Sequence, residues 1–315
     1  MSRPPGATVG GQAVLEGVMM RAPAGWAVAV RRPDGTIEAK SHELPRLSAR
    51  SRAARIPFLR GVMVLVESLS LGFKALSWSA QKAGDEDEEI TRAQVIATMT
   101  FAIVLAVGIF IIGPVFAANW LKRFVADSSF AFVVLDGLIR LALIVAYIWL
   151  ISRSKEIQRV FQYHGAEHKT IHAYEAGDPL SVEAIQRYSP RHPRCGTSFL
   201  IIVGMVAFFV FLVLAPLAFV WQVSARVVLI PVIAGLSYEV LKVADAKPWM
   251  AWASRPGIWL QAITTSEPDD QMVEVAVTSL RAALDDESRA EIEARGPLPH
   301  AVLNAEYDVS EHADG

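Results

Sequence analysis

The sequence predicts a mainly α-helical, polytopic membrane protein with about four transmembrane helices. A small α+β cytoplasmic module, including an N-terminal β-hairpin, is expected beside them. Three observations predict this. Hydrophobic residues make up 53% of the 315-residue chain and mean hydropathy is +0.34, yet 20% of residues are charged. The apolar residues concentrate in stretches close to the ~20 residues needed to cross a bilayer. Short alternating runs flank the turn Pro33-Asp34-Gly35, which is the pattern of a hairpin.

Taken in order, residues 1–57 form the N-terminal cytoplasmic segment. Residues 1–11 are polar and lack an apolar signal core, so no cleaved signal is expected. The glycines of Gly10-Gly11-Gln12-Ala13-Val14-Leu15-Glu16-Gly17 predict a tight turn or a close backbone approach. They lack the spacing and the lysine of a phosphate loop. The hairpin is expected to pair 26–30 with 36–40. Residues 58–90 follow, with Arg60, Glu67 and Lys74 scattered through an apolar run. They predict an amphipathic helix on the cytoplasmic surface, with a re-entrant or spanning helix as the alternative, and then an acidic linker over 85–89.

Residues 91–151 hold the first two spans, over 95–118 and 130–151. Residues 152–198 form a cytoplasmic loop that carries histidines and the cysteine. Residues 199–244 hold the third span, over 199–221, and the fourth, over 227–244, which is short and contains Glu239. Pro114, Pro216 and Pro231 are tolerable where neighbouring helices satisfy the freed backbone groups. Residues 245–295 return to the cytoplasm, with Trp249, Trp252 and Trp259 at the interface. One helix is expected over 268–294, with Met272, Val275, Leu280 and Leu284 on its apolar face. Residues 296–315 read as a mobile tail.

Charge asymmetry orients the chain. Arg46, Arg50, Arg52, Arg55 and Arg60 precede span one, and Arg153, Lys155, Arg159, Lys169, Arg187, Arg191 and Arg194 lie between spans two and three. The other loops hold only Lys122 with Arg123, and Arg226. The positive-inside rule then predicts a multi-pass protein of the inner membrane with both termini in the cytoplasm. The expected partners are membrane lipid and either other membrane proteins or further copies of this chain. A net charge of −2 gives no sign of a nucleic-acid partner, and a single cysteine excludes an internal disulfide.

The chemistry concentrates in Tyr163-His164-Gly165-Ala166-Glu167-His168-Lys169-Thr170-Ile171-His172, which holds three of the seven histidines. On a helix, His164, His168 and His172 share one face. His164 and His168 frame Glu167 in the order H-x-x-E-H, the spacing of an inverted zinc-peptidase motif. Two imidazoles would then bind a divalent transition metal, zinc foremost, with Glu167 as general base. A third ligand would come from His172, His192, Cys195 or Glu239. The plainer alternative has the histidines bonding backbone carbonyls, capping helices or facing headgroups. Asp136 and Arg140 are expected to pair, and Glu239 to pair with Lys242 if it binds no metal. Glu16 and Glu67 either complete a carboxylate site or pair locally. Arg191 and Arg194 either bind a phosphate or serve topology.

Several segments together resemble one family. They are Gly10–Arg21, Arg60-Gly61-Val62, Tyr163–Lys169, His192-Pro193-Arg194-Cys195-Gly196-Thr197-Ser198, Tyr238–Lys242 and Pro256–Gln261. They are similar to the bacterial membrane family of YqhQ, a domain of unknown function, over residues 9–276. The resemblance implies a multi-pass membrane protein and a metal-dependent enzyme, without naming a catalytic residue. The leading functional expectation is a metal-dependent hydrolase at the cytoplasmic membrane face. A non-enzymatic factor for assembly or regulation of membrane proteins is the alternative. A small oligomeric transporter using Asp136, Arg140 and Glu239 is the third reading.

Overall fold

The computed structural model describes residues 9–44, 56–84, 92–125, 129–193, 195–214, 219–246 and 255–308. Arg46, Arg50, Arg52, Arg55, the acidic run 85–89, Arg194, Pro216, Trp249 and Trp252 lie outside them. The chain is mainly helical, with an N-terminal antiparallel sheet.

Four strands run in sequence order, β1 (Gly10–Val14), β2 (Gly17–Arg21), β3 (Gly25–Arg31) and β4 (Ile37–Glu43), each antiparallel to the last. The expected hairpin is β3–β4, and the glycine-rich segment upstream adds a second hairpin, β1–β2. The turn at its tip holds Glu16 at φ 49°, the left-handed region. At Gly17 a Cβ would collide with the Ala29 carbonyl, so glycine is required there. Side chains alternate between two faces. Val18, Met20, Ala27 and Ala29 belong to one core, and Met19, Trp26, Val28 and Val30 to another.

Helix α1 (Pro57–Ala83) covers the second of these faces with Leu71 and Ala75. Its N-terminal half leaves the sheet. There Gly61 lies against Gly235, and Arg60 holds Glu239 through bonds of 2.6 and 2.9 Å. The expected amphipathic helix is therefore one 27-residue rod that bridges the sheet and the apolar helices. Glu67 is buried on it and takes a 2.6 Å bond from Arg21, the local-pairing alternative.

Next come α2 (Arg92–Val107), a π-helical turn (Gly108–Ile112), α3 (Gly113–Val125) and α4 (Ser129–Ile151). Among the described residues, two stretches are long and apolar enough to cross a membrane, Thr100–Leu121 and Phe130–Ile151. The first lies a few residues beyond the expected 95–118. Pro114 accounts for its irregular turn. Lacking an N–H, it cannot bond the Phe110 carbonyl one turn back. That oxygen accepts instead from Arg140 Nη1 at 2.6 Å.

Helices α5 (Lys155–Ala176) and α6 (Val182–Gln186) form the His-bearing segment, and Gly177 closes α5 in the left-handed conformation. Then follow α7 (Thr197–Leu214), α8 (Phe219–Val228) and α9 (Ile230–Ala246). The third expected span is described as helix as far as Leu214, with 215–218 outside the described residues, and its apolar part, Phe199–Leu214, is shorter than the other two. Arg226, read as a loop residue, lies in α8, is 1% exposed and bonds Asp136 at 3.1 Å. Asp136 also meets Arg140 at 3.4 Å, as expected.

The chain ends with α10 (Arg255–Thr264), α11 (Asp270–Ala283), α12 (Asp286–Ala294), α13 (His300–Leu303) and β5 (Glu306–Asp308). Two helices replace the single one expected over 268–294, because Asp285 caps a new start by accepting from the Ser288 amide at 2.9 Å. The apolar face is as expected: Met272, Val275, Leu280 and Leu284 are all buried, against the first face of the sheet. Each such side chain contributes about 1.5–3 kcal/mol by leaving water. The expected mobile tail is ordered through residue 308: Val302 is fully buried and β5 runs parallel to β4.

Candidate metal centre

Helix α5 packs against β1 and α11, so the face bearing Tyr163, Ala166, Glu167, Thr170 and Ile171 is buried. Within it His164, His168 and Cys195 each offer a ligand atom, all within 4.8 Å of one another. His164 and His168 come from adjacent turns, with ring centroids 4.4 Å apart. Cys195 lies two residues before α7, with Sγ 3.2 Å from His164 Nε2.

Backbone carbonyls set both imidazoles. His164 Nδ1 lies 2.8 Å from the Thr264 oxygen and His168 Nδ1 lies 2.6 Å from the Pro190 oxygen. A carbonyl only accepts, so each Nδ1 carries the proton and each Nε2 a lone pair. His168 Nε2 is buried and has no hydrogen-bond partner. A buried polar atom left in this state costs free energy unless something occupies it. The carbonyl-bonding alternative from the sequence is thus true of one ring nitrogen of each histidine, while the other carries a lone pair.

Several neighbours make this geometry possible. Gly165 lets the chain after α10 cross α5, since a Cβ there would strike the Ser266 carbonyl. The Ser266 amide donates to the Phe161 oxygen at 3.0 Å, which brings Thr264 over His164. Gln261, fully buried on α10, clips His192 by accepting from its amide and donating to its carbonyl, both at 2.9 Å. The Cys195 amide in turn donates to the His192 carbonyl. Gln261 therefore positions the cysteine. Nothing in the sequence pattern marks this role, though Gln261 ends the Pro256–Gln261 segment.

Glu167 sits 4% exposed behind the two histidines and accepts from the Gly11 amide. Burial pushes its carboxyl up to about 8, Cys195 adds to the rise and His164 opposes it. Gly11 is the close approach the sequence suggested: a Cβ there would lie 3.1 Å from Glu167 Cδ and 2.5 Å from the Met19 oxygen. Burial holds His168 down to about 3, with His164 contributing, and His192 down to about 4.

The remaining candidates stand outside this trio. His172 turns Nε2 to the Arg191 oxygen at 3.0 Å, and His192 faces Glu175 at 3.6 Å. Their rings continue the row, with centroids 4.3 Å apart. Glu239 is paired with Arg60 rather than with Lys242 or the histidines. Glu16 pairs with Arg159 and accepts from the Tyr163 hydroxyl at 3.3 Å.

The family described as "Protein of unknown function (DUF1385)" matches residues 56–286. The chain is 38% identical over 307 residues to "Uncharacterized protein YqhQ" of Bacillus subtilis (strain 168), covering 90% of this chain and 94% of that one. The chain belongs to this YqhQ-like family of unknown function. No solved structure matches it.

Proposed function

We propose that this chain is a multi-pass inner-membrane protein with a metal-dependent hydrolytic site at the cytoplasmic face. His164, His168 and Cys195 would hold one divalent transition metal, zinc foremost. Two nitrogens and one thiolate suit zinc and leave a fourth position open. The observation that carries the reading is the buried, partnerless His168 Nε2, set beside a second Nε2 and a thiol, with both Nδ1 atoms spent on carbonyls. Carbonyl bonds of this kind orient histidine ligands and raise their basicity. A metal held there supplies Lewis acidity.

Glu167 is then the general base. Its carboxyl is fixed by the Gly11 amide and shielded from bulk water, so a proton it takes stays within the site. His192 and His172 serve as positioning groups rather than ligands.

The membrane placement rests on the two bilayer-length helices and on the arginine distribution. Helices α7 and α9 would complete a bundle of four, with lipid and further copies of the chain around it. The carboxylates that a transporter would use, Asp136 and Glu239, are engaged by arginines, which favours the enzymatic reading.

Cobalt(II) substitution of the purified protein tests the centre. A sulfur-to-cobalt charge-transfer band should appear, vanish in Cys195→Ser, and vanish in His168→Ala. A cobalt spectrum without that band, or one unchanged by both substitutions, rejects the ligand set.

A further inference from the structure

A cavity of about 680 Å³ opens between α1 and the sheet face remote from His164 and His168. Half of its lining is apolar, with Trp26, Leu71, Phe73 and Trp78 the largest such groups, and Lys40, Lys74 and Glu43 stand among the polar lining groups. Single small-molecule sites span roughly 300–1,000 Å³. We propose that this groove holds an acyl chain of an anionic membrane phospholipid, with the phosphate on Lys74.

The occupant follows from three features. First, the exposed side of α1 carries Leu59, Val66, Leu69, Phe73 and Leu76, each between 38% and 60% exposed. Their spacing of seven, three, four and three makes one continuous apolar stripe. Second, the stripe is continuous with the apolar helices. It begins where α1 lies on α9, whose Leu236 and Val243 are also exposed, and it reaches the cavity through Phe73, which belongs to both. A lipid tail could slide from the bilayer along this stripe without crossing polar surface. Third, the exposed Lys74 stands at the cavity from α1. A headgroup of net negative charge satisfies that ammonium, whereas the quaternary ammonium of a choline headgroup opposes it.

The groove is separate from the metal centre. The Gln12 side chain reaches across to the Gly72 carbonyl of α1, while Gly11 meets Glu167 on the other face. The proposal rests on the membrane reading but not on the metal, so the lipid would be a bound regulator or anchor of the module.

The test uses the whole protein, reconstituted in nanodiscs of phosphatidylcholine with and without phosphatidylglycerol, then analysed by native mass spectrometry. One retained phosphatidylglycerol per chain, in preference to phosphatidylcholine, is expected. Lys74→Ala should lower retention about fivefold, the effect of one lysine near an anionic surface, and Lys74→Arg should restore it. Ser77→Trp, which fills the groove from α1, should abolish retention with metal content unchanged. Equal retention of both lipids, or retention indifferent to Lys74, overturns the proposal, as does a dimer that carries no lipid. A chain that alkaline carbonate strips from membranes overturns the membrane reading and this proposal with it. An integral chain that retains no lipid overturns this proposal alone.

Discussion

Two of the buried polar clusters are built on opposite plans. Among the apolar helices, Asp136 is gripped by Arg140 and Arg226. The Arg226 nitrogens left over lie beside aromatic faces, with its guanidinium carbon 4.5 Å from the Phe211 ring centre and 5.6 Å from that of Phe132. Everything left unspent there is a donor, and rings take up the charge. Around His168 the unspent atom is a lone pair, and the nearby groups are another imidazole and a thiol. The first arrangement is closed and holds helices together. The second is open to a cation. Burial of charge or polarity alone does not mark a functional site; the kind of atom left over does.

Breaking the closed cluster should have the largest effect. Asp136→Ala leaves two cations facing each other in an apolar bundle, and a loss of about 3–5 kcal/mol is expected. Thermal unfolding in detergent should show it. Replacing Asp136 with Leu and both Arg140 and Arg226 with Met should recover most of the loss, and failure of that rescue would mean the cluster does more than hold helices.

The open cluster should respond differently. Gly165→Ala forces residues 264–266 off α5 and removes the Thr264 oxygen from His164, at about 1–3 kcal/mol for the overpacking. Metal content should fall far more than stability does. Gln261→Ala removes the acceptor of the His192 amide and one of the two donors to its carbonyl, which keeps the Cys195 amide, again about 1–3 kcal/mol. Its metal should be lost faster on dialysis against a chelator. An unchanged release rate would remove Gln261 from its positioning role.

Acid should weaken the module through His192. Its imidazole titrates near 4 when folded, against 6.5 ordinarily, so between those values the unfolded chain binds a proton that the folded chain refuses. The stabilisation is complete above about pH 6.5 and declines as pH falls toward 4. Urea midpoints measured across that range should drop, and His192→Asn should flatten part of the slope.

What could be read from the residues divides along the same lines. The H-x-x-E-H order placed two candidate ligands and a carboxylate on one helix because i and i+4 adjoin on any helix. Cys195 could be nominated only by rarity, since its approach depends on Gln261, 66 positions further on in the chain. The atoms that choose the tautomers, the Thr264 and Pro190 carbonyls, are present in every residue and leave no mark on a sequence. The same limit explains Glu239, which found Arg60 across 179 positions instead of Lys242 three residues away. It explains Arg226 too, because hydropathy identifies a loop by its charge and cannot see an Asp136 waiting in another helix. Strand β5 is three residues long and pairs at an edge, too brief for any periodicity to reveal.

Elemental analysis of the purified wild-type protein beside His168→Ala is the most direct measurement of the central claim. One equivalent of a divalent transition metal per wild-type chain, and its loss in a variant that still folds and stays in the membrane fraction, is the predicted result. A wild-type chain that carries no metal even after reconstitution, or a variant that keeps it, would contradict the account.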